Sequence, residues 1–105
     1  MSFAIPVRRL RETGTLIAFR RPKPSYKIHI LIVPKKSLSG LEALSPEDDG
    51  FYVDLFTIVQ SLVEEKDLAE HGNRLVVNGG SFQDIPQLHF HLISGISNTI
   101  DRVPG

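Results

Sequence analysis

The chain has 105 residues, 41 % of them apolar, which suits one packed domain over 1–105 and is too few for two. It holds no cysteine, so disulfides, thiolate metal sites and a thiol nucleophile are excluded, and the cytoplasm is the expected compartment. Twelve basic and twelve acidic residues cancel, yet nine of the basic ones lie in residues 1–36 against a single acid, Glu12. A basic third of this kind either attracts phosphates or nucleic acid, or is a solvated face complementing an acidic helix. The apolar run at the start is too short for a signal peptide, and no stretch nears the roughly 20 apolar residues that span a bilayer, so no membrane is expected.

Residues 7–12 and 15–21 read as two short strands around a turn at Gly14. Pro22 and Pro24 turn residues 20–25 into a loop by removing two backbone donors. Residues 27–33 are the clearest strand. Ile28, Ile30 and Ile32 alternate with His29, Leu31 and Val33, so both faces are largely apolar, as in a central strand covered on two sides. Pro34 ends it. Ser45 can cap a helix whose first turn holds Pro46, Glu47 and Asp48. Phe51, Leu55, Ile58, Val59, Leu62 and Val63 then recur at helical spacing, up to a polar end near Leu68. Residues 74–77 form a strand ending in Asn78-Gly79-Gly80-Ser81. Residues 88–93 form another, followed by a polar tail over residues 94–105, irregular from about 96. One helix among several strands predicts an α+β fold, with an antiparallel sheet and the helix against one face.

The strand over 88–93 carries the chemistry. Side chains alternate, so Leu88, Phe90 and Leu92 point one way and Gln87, His89 and His91 the other. Two imidazoles on one face fit three uses: a nucleophile with an acid–base partner, part of a metal site, or two surface histidines on an edge strand. A metal site needs three or four ligands. His29 in the central strand can approach, His71 sits beside Gly72 in what reads as an exposed loop, and nothing places Asp84 nearby. The Gly79-Gly80 pair exposes backbone N–H groups that can wrap an anion, which makes Gly80 and Ser81 candidates; an ordinary turn is the other reading. No P-loop or dinucleotide fingerprint is present.

Four segments together resemble the histidine triad (HIT) family of nucleotide hydrolases and transferases. They are Leu16-Ile17-Ala18-Phe19, His29-Ile30-Leu31-Ile32-Val33-Pro34-Lys35, Leu75-Val76-Val77-Asn78-Gly79-Gly80 and Gln87-Leu88-His89-Phe90-His91-Leu92-Ile93. The resemblance implies an antiparallel sheet of about five strands with one main helix. It implies that His89 attacks the α-phosphorus of a nucleotide and forms a covalent phosphohistidine. His91 would balance charge and handle protons. Asn78 and Gln83 would position the phosphate, and His29 would either orient a triad histidine or be a core histidine bonded to backbone. No cofactor and no metal is called for. Proteins of this kind commonly pair, so a homodimer is expected, with a small nucleotide or phosphoester as partner and nucleic acid not expected.

Three positions depart from the family pattern. Gln87 replaces the first histidine of the triad, and an amide does not shuttle protons near neutral pH. Arg21 stands where an acid would bond the ribose hydroxyls; it can bind a phosphate instead. Asp84 stands where serine or threonine is usual beside the phosphate, and a carboxylate there repels an anion unless it is paired, protonated or turned away. The leading expectation is therefore a phosphohydrolase or nucleotidyl transferase using His89. The alternatives are a nucleotide-binding module with little turnover and a metal protein using His89, His91 and His29.

Overall fold

The structure, a computed structural model, describes residues 8–97. Five strands, β1 (Arg9–Glu12), β2 (Leu16–Arg20), β3 (Tyr26–Pro34), β4 (Arg74–Val77) and β5 (Phe90–Ser97), form one sheet in the order β1-β2-β3-β5-β4. Every neighbouring pair is antiparallel. The β1–β2 turn is held by Thr13, whose Oγ1 accepts from the Thr15 and Leu16 amides at 3.1 and 3.2 Å. Val7, expected to start the first strand, lies outside the described residues.

The helix begins as expected and ends sooner. Ser45 and Asp48 form a capping box around a 3-10 turn, Pro46–Asp48, and α1 runs over Asp49–Glu65. Lys36 Nζ pairs with Asp48 Oδ1 at 2.9 Å. Asp67 adopts the left-handed conformation, with φ 57°, which breaks the helix before a short second one, α2 (Leu68–His71). His71 therefore closes a helical turn instead of lying in a loop; it is exposed, as expected. No helix among the described residues is long and apolar enough to cross a membrane.

The two sheet faces differ. Leu16, Ala18, Ile30, Ile32, Leu88, Phe90 and Leu92 pack with Phe51, Leu55 and Leu62 of α1 and Leu68 of α2. The opposite face carries a smaller cluster of Ile17, Phe19 and Val33, with Leu31 beside it. No helix covers that second face among the described residues, so the two-sided apolar pattern of β3 has two causes: a core on one side and a cavity floor on the other.

β5 continues through Ser97, past Ile93 where the expected strand stopped. Gly95 makes this possible. It has φ +88°, and a Cβ placed there would lie 2.7 Å from Lys27 Cβ, where the β3–β5 register shifts. Gly95→Ala is expected to lower stability by about 1–3 kcal/mol, because the left-handed backbone and the clash both penalise a side chain. Urea unfolding reads this directly, and an unchanged midpoint would show that the bulge tolerates a Cβ. Residues 98–105, the remainder of the expected tail, lie outside the described residues.

Candidate active site

Strand pairing sets the histidines out in rows. Phe19 pairs with Leu31 and Leu31 with His91, so these three stand side by side across β2, β3 and β5. One row towards the 20–25 loop, the Arg21 amide bonds to His29 O at 2.9 Å, and His29 pairs with Ile93. In the opposite direction Ile17 pairs with Val33. On this face a cavity of about 200 Å³ is lined by Phe19, Arg21, Leu31, Val33, Asp84, Ile85, Gln87, His89 and His91. The alternation read from the sequence therefore puts Gln87, His89 and His91 on the cavity side and Leu88, Phe90 and Leu92 in the core.

The hydrogen bonds determine the tautomers. Ser25 N–H donates to His29 Nδ1 at 3.0 Å, so that nitrogen bears a lone pair. Burial leaves His29 2 % exposed and lowers its pKa to about 4, with the Arg21 charge adding to the effect, so the ring is neutral near pH 7. A neutral ring with an accepting Nδ1 carries its proton on Nε2. That proton is donated to His91 Nδ1, 2.8 Å away. His91, as a neutral ring, then holds its own proton on Nε2. His89 has the opposite arrangement. Its Nδ1 lies 2.7 Å from Gln87 O, and a carbonyl only accepts, so Nδ1 carries a proton, and in the neutral ring the lone pair is on Nε2. The His89 and His91 rings meet edge to face, with centroids 4.9 Å apart. With both rings neutral, the cavity face presents an unprotonated Nε2 on His89 beside a protonated Nε2 on His91.

The remaining candidates are placed less centrally. Gln87 is buried, and its side-chain amide donates to Leu88 O at 3.3 Å. Gln83 donates from its amide to Ser39 O at 3.0 Å and Ile85 O at 3.4 Å, which ties down the loop over the cavity. Gly80 and Ser81 are exposed, and the 3-10 turn Gly80–Phe82 uses the Phe82 and Gln83 amides internally. Asn78 follows Val77, which pairs with Phe90, so the register continued by one step brings Asn78 alongside His89. None of Asn78, Gly80, Ser81 and Gln83 lines the cavity. Asp84 does line it, and it is exposed.

Phe19, Leu31, Val33 and Ile85 were not among the sequence candidates. The available signal was the second apolar face of β2 and β3 in a chain with one main helix. Among the described residues no group of three or more His, Asp or Glu is arranged to hold a metal. The His29–His91 bond also occupies two of the nitrogens that a three-histidine metal site would need.

A family model described as the HIT domain matches residues 2–98. The purine nucleoside phosphoramidase of Escherichia coli K12 is 30 % identical over 95 residues, covering 87 % of this chain and 78 % of the relative. A HIT family hydrolase from Legionella pneumophila superposes with a TM-score of 0.81 at 29 % identity, covering 92 % of this chain and 88 % of that one. A histidine triad protein from Clostridium difficile gives a TM-score of 0.78 at 26 % identity, covering 96 % and 85 %.

Proposed function

The chain belongs to the HIT domain family, and from that premise we propose that it is a nucleotide phosphohydrolase or nucleotidyl transferase with His89 as its nucleophile. The observation that carries this reading is the 2.7 Å bond from His89 Nδ1 to Gln87 O, which in the neutral ring leaves the lone pair on Nε2. His89 Nε2 attacks an α-phosphorus, an N–P bond forms, and the bond from phosphorus to the leaving group breaks. The leaving group departs with the electron pair of that bond and takes up a proton from solvent. Water or another acceptor then attacks the phosphorus and gives up its proton to solvent, and the N–P bond breaks with its electron pair returning to His89 Nε2. His91, with its proton on Nε2, supplies a hydrogen-bond donor for charge that builds on the phosphate oxygens. Phe19, Leu31 and Val33 give the nucleoside an apolar floor. A phosphoramidate of a purine nucleotide is the first substrate to try, by likeness to the Escherichia coli relative. The cysteine-free composition fits action in the cytoplasm.

Gln87 favours a second reading, a nucleotide-binding module with little turnover, since its amide does not replace a proton-transferring imidazole. Rapid-quench reaction with α-phosphorus-labelled nucleotides, amidates and dinucleotides separates the two. A labelled, acid-labile protein adduct supports the enzyme; binding without adduct or turnover moves the weight to the module.

Pairing of two copies belongs to the same proposal. Val53 and Phe56, one helical turn apart on α1, are 66 % and 62 % exposed. Light scattering is expected to give the mass of two chains, and to fall towards one chain in Phe56→Lys. A single-chain mass for the unsubstituted protein at high concentration would remove the dimer.

A further inference from the structure

The cavity holds a cation that the proposed reaction leaves without a task. Arg21 lies at the β2 end of the lining. Its Nη1 donates to Lys23 O at 3.1 Å and to Ser25 Oγ at 2.8 Å, which fixes the guanidinium against the 20–25 loop. Both bonds leave from Nη1, and no carboxylate among the described residues forms an ion pair with it. Nε and Nη2 of the same planar fork are left to face a ligand.

The position of Arg21 relative to His89 is what matters. Arg21 stands one row beyond Phe19 and His91, and His89 one row before them, with β3 between the two strands. Two strand spacings and two two-residue rises put their Cα atoms roughly 16 Å apart. The apolar floor lies between these two ends. A nucleotide with its phosphorus at His89 lays its sugar and then its base over this floor, so its sugar oxygens lie in the same cavity whose far rim carries Arg21. An arginine cannot accept hydrogen bonds from sugar hydroxyls, because it has donors only. It does match a phosphate, through two parallel N–H bonds. The same choice divides dinucleotide sites: an acid receives the ribose hydroxyls, whereas an arginine accommodates a ribose phosphate. Arg20, Lys23 and Lys27 are exposed on the same stretch and add positive potential at this end.

We propose that Arg21 is the specificity residue of an anion subsite, and that the substrate is a nucleotide bearing a second phosphate on its 2′ or 3′ ribose oxygen. This rests on the reading of the His89 end as the site of the α-phosphorus. The ribose phosphate comes either from a small bisphosphorylated nucleotide or from the next unit of an oligonucleotide.

Equilibrium binding tests it without requiring turnover. The full chain carrying His89→Ala is titrated with adenosine 5′-phosphate, with the 2′,5′- and 3′,5′-bisphosphates, and with a 5′-phosphorylated dinucleotide. One of the bisphosphates is expected to bind about tenfold or more tighter than the monophosphate, as for a charge-assisted contact. In Arg21→Ala that ratio falls to near one. In Arg21→Lys, which keeps the charge and loses the fork, part of it returns, and this also guards against a loosened loop. A dinucleotide that matches or exceeds the bisphosphate assigns the source to an oligonucleotide end; a weaker one assigns it to the small nucleotide. Equal affinity for mono- and bisphosphate, no binding of either, or a preference that survives Arg21→Ala overturns the proposal. The labelled-adduct experiment fails independently of this ratio. A preference without an adduct sinks the reaction and leaves the subsite; an adduct without a preference does the reverse.

Discussion

His89→Ala is expected to abolish the labelled adduct and to lower kcat on nucleotide substrates by about 10⁴-fold or more, the loss typical of a removed nucleophile. The reason lies in the backbone. His89 Nδ1 is held by the main-chain oxygen of Gln87, and any residue at position 87 supplies that oxygen. Orientation of the nucleophile thus survives the exchange of the first triad histidine for glutamine; only side-chain proton transfer at that position is lost. His91→Ala removes a donor without touching the attacking atom, so its expected cost is smaller, about 10²–10⁴-fold in kcat. Single-turnover rates for the two variants check this order. An adduct that persists in His89→Ala, or a larger loss from His91→Ala, would move the nucleophile off His89.

Acid is expected to unfold the protein through His29. Its pKa falls from 6.5 to about 4 in the folded state, chiefly by burial and then by the Arg21 charge. The unfolded chain therefore binds the proton first as pH drops. The stability linked to His29 is fully present above about pH 6.5 and is lost as pH falls towards 4, by about 3 kcal/mol. That is a sizeable share of the total for an ordinary domain. The geometry gives the same sign: His29 Nδ1 accepts from Ser25 N–H and Nε2–H serves His91, so a second proton has to break one of these bonds. Glu12, Asp48 and Asp54 also lose stabilising contacts in acid, but their pKa values lie below 4.5, 3.8 and 3.8. These carboxylate contributions are lost below the interval between pH 6.5 and 4.5, in which His29 acts. Urea unfolding across it should show a steep fall for the native sequence and a much shallower one for His29→Gln. Parallel curves would remove His29 as the cause.

The parts of this structure that repeat with period could be read from the sequence. The alternation of Gln87, His89 and His91 with Leu88, Phe90 and Leu92 predicts which side faces the cavity. The capping residues at Ser45 and Asp48 mark where the helix begins. Features that depend on distant partners could not be read. The His29–His91 bond joins residues 62 positions apart, and nothing local in either segment specifies the tautomer. The extension of β5 through Ser97 was hidden by Ser94, Gly95 and Ser97, which have turn composition; only the approach of Lys27 shows why a glycine belongs inside that strand. The break at Asp67 was hidden too, because a left-handed aspartate leaves no mark in hydrophobic spacing. Arg21 was seen as a replacement, but its place at the far end of the cavity follows from the register alone.

The strand order carries a consequence for how the molecule assembles. β5 is the last strand among the described residues, yet it lies between β3 and β4. Until it enters, β1 to β3 can form only an antiparallel meander, α1 has part of a sheet to lie on, and β4 has no neighbour. Closing the β3–β5 ladder joins residues that are far apart in the chain, so its loop entropy makes it a slow and late step. His89 and His91 arrive on that same strand. An incompletely folded chain, which exposes its apolar faces, therefore also lacks the assembled cavity face, so the proposed reactivity is conferred only as folding finishes.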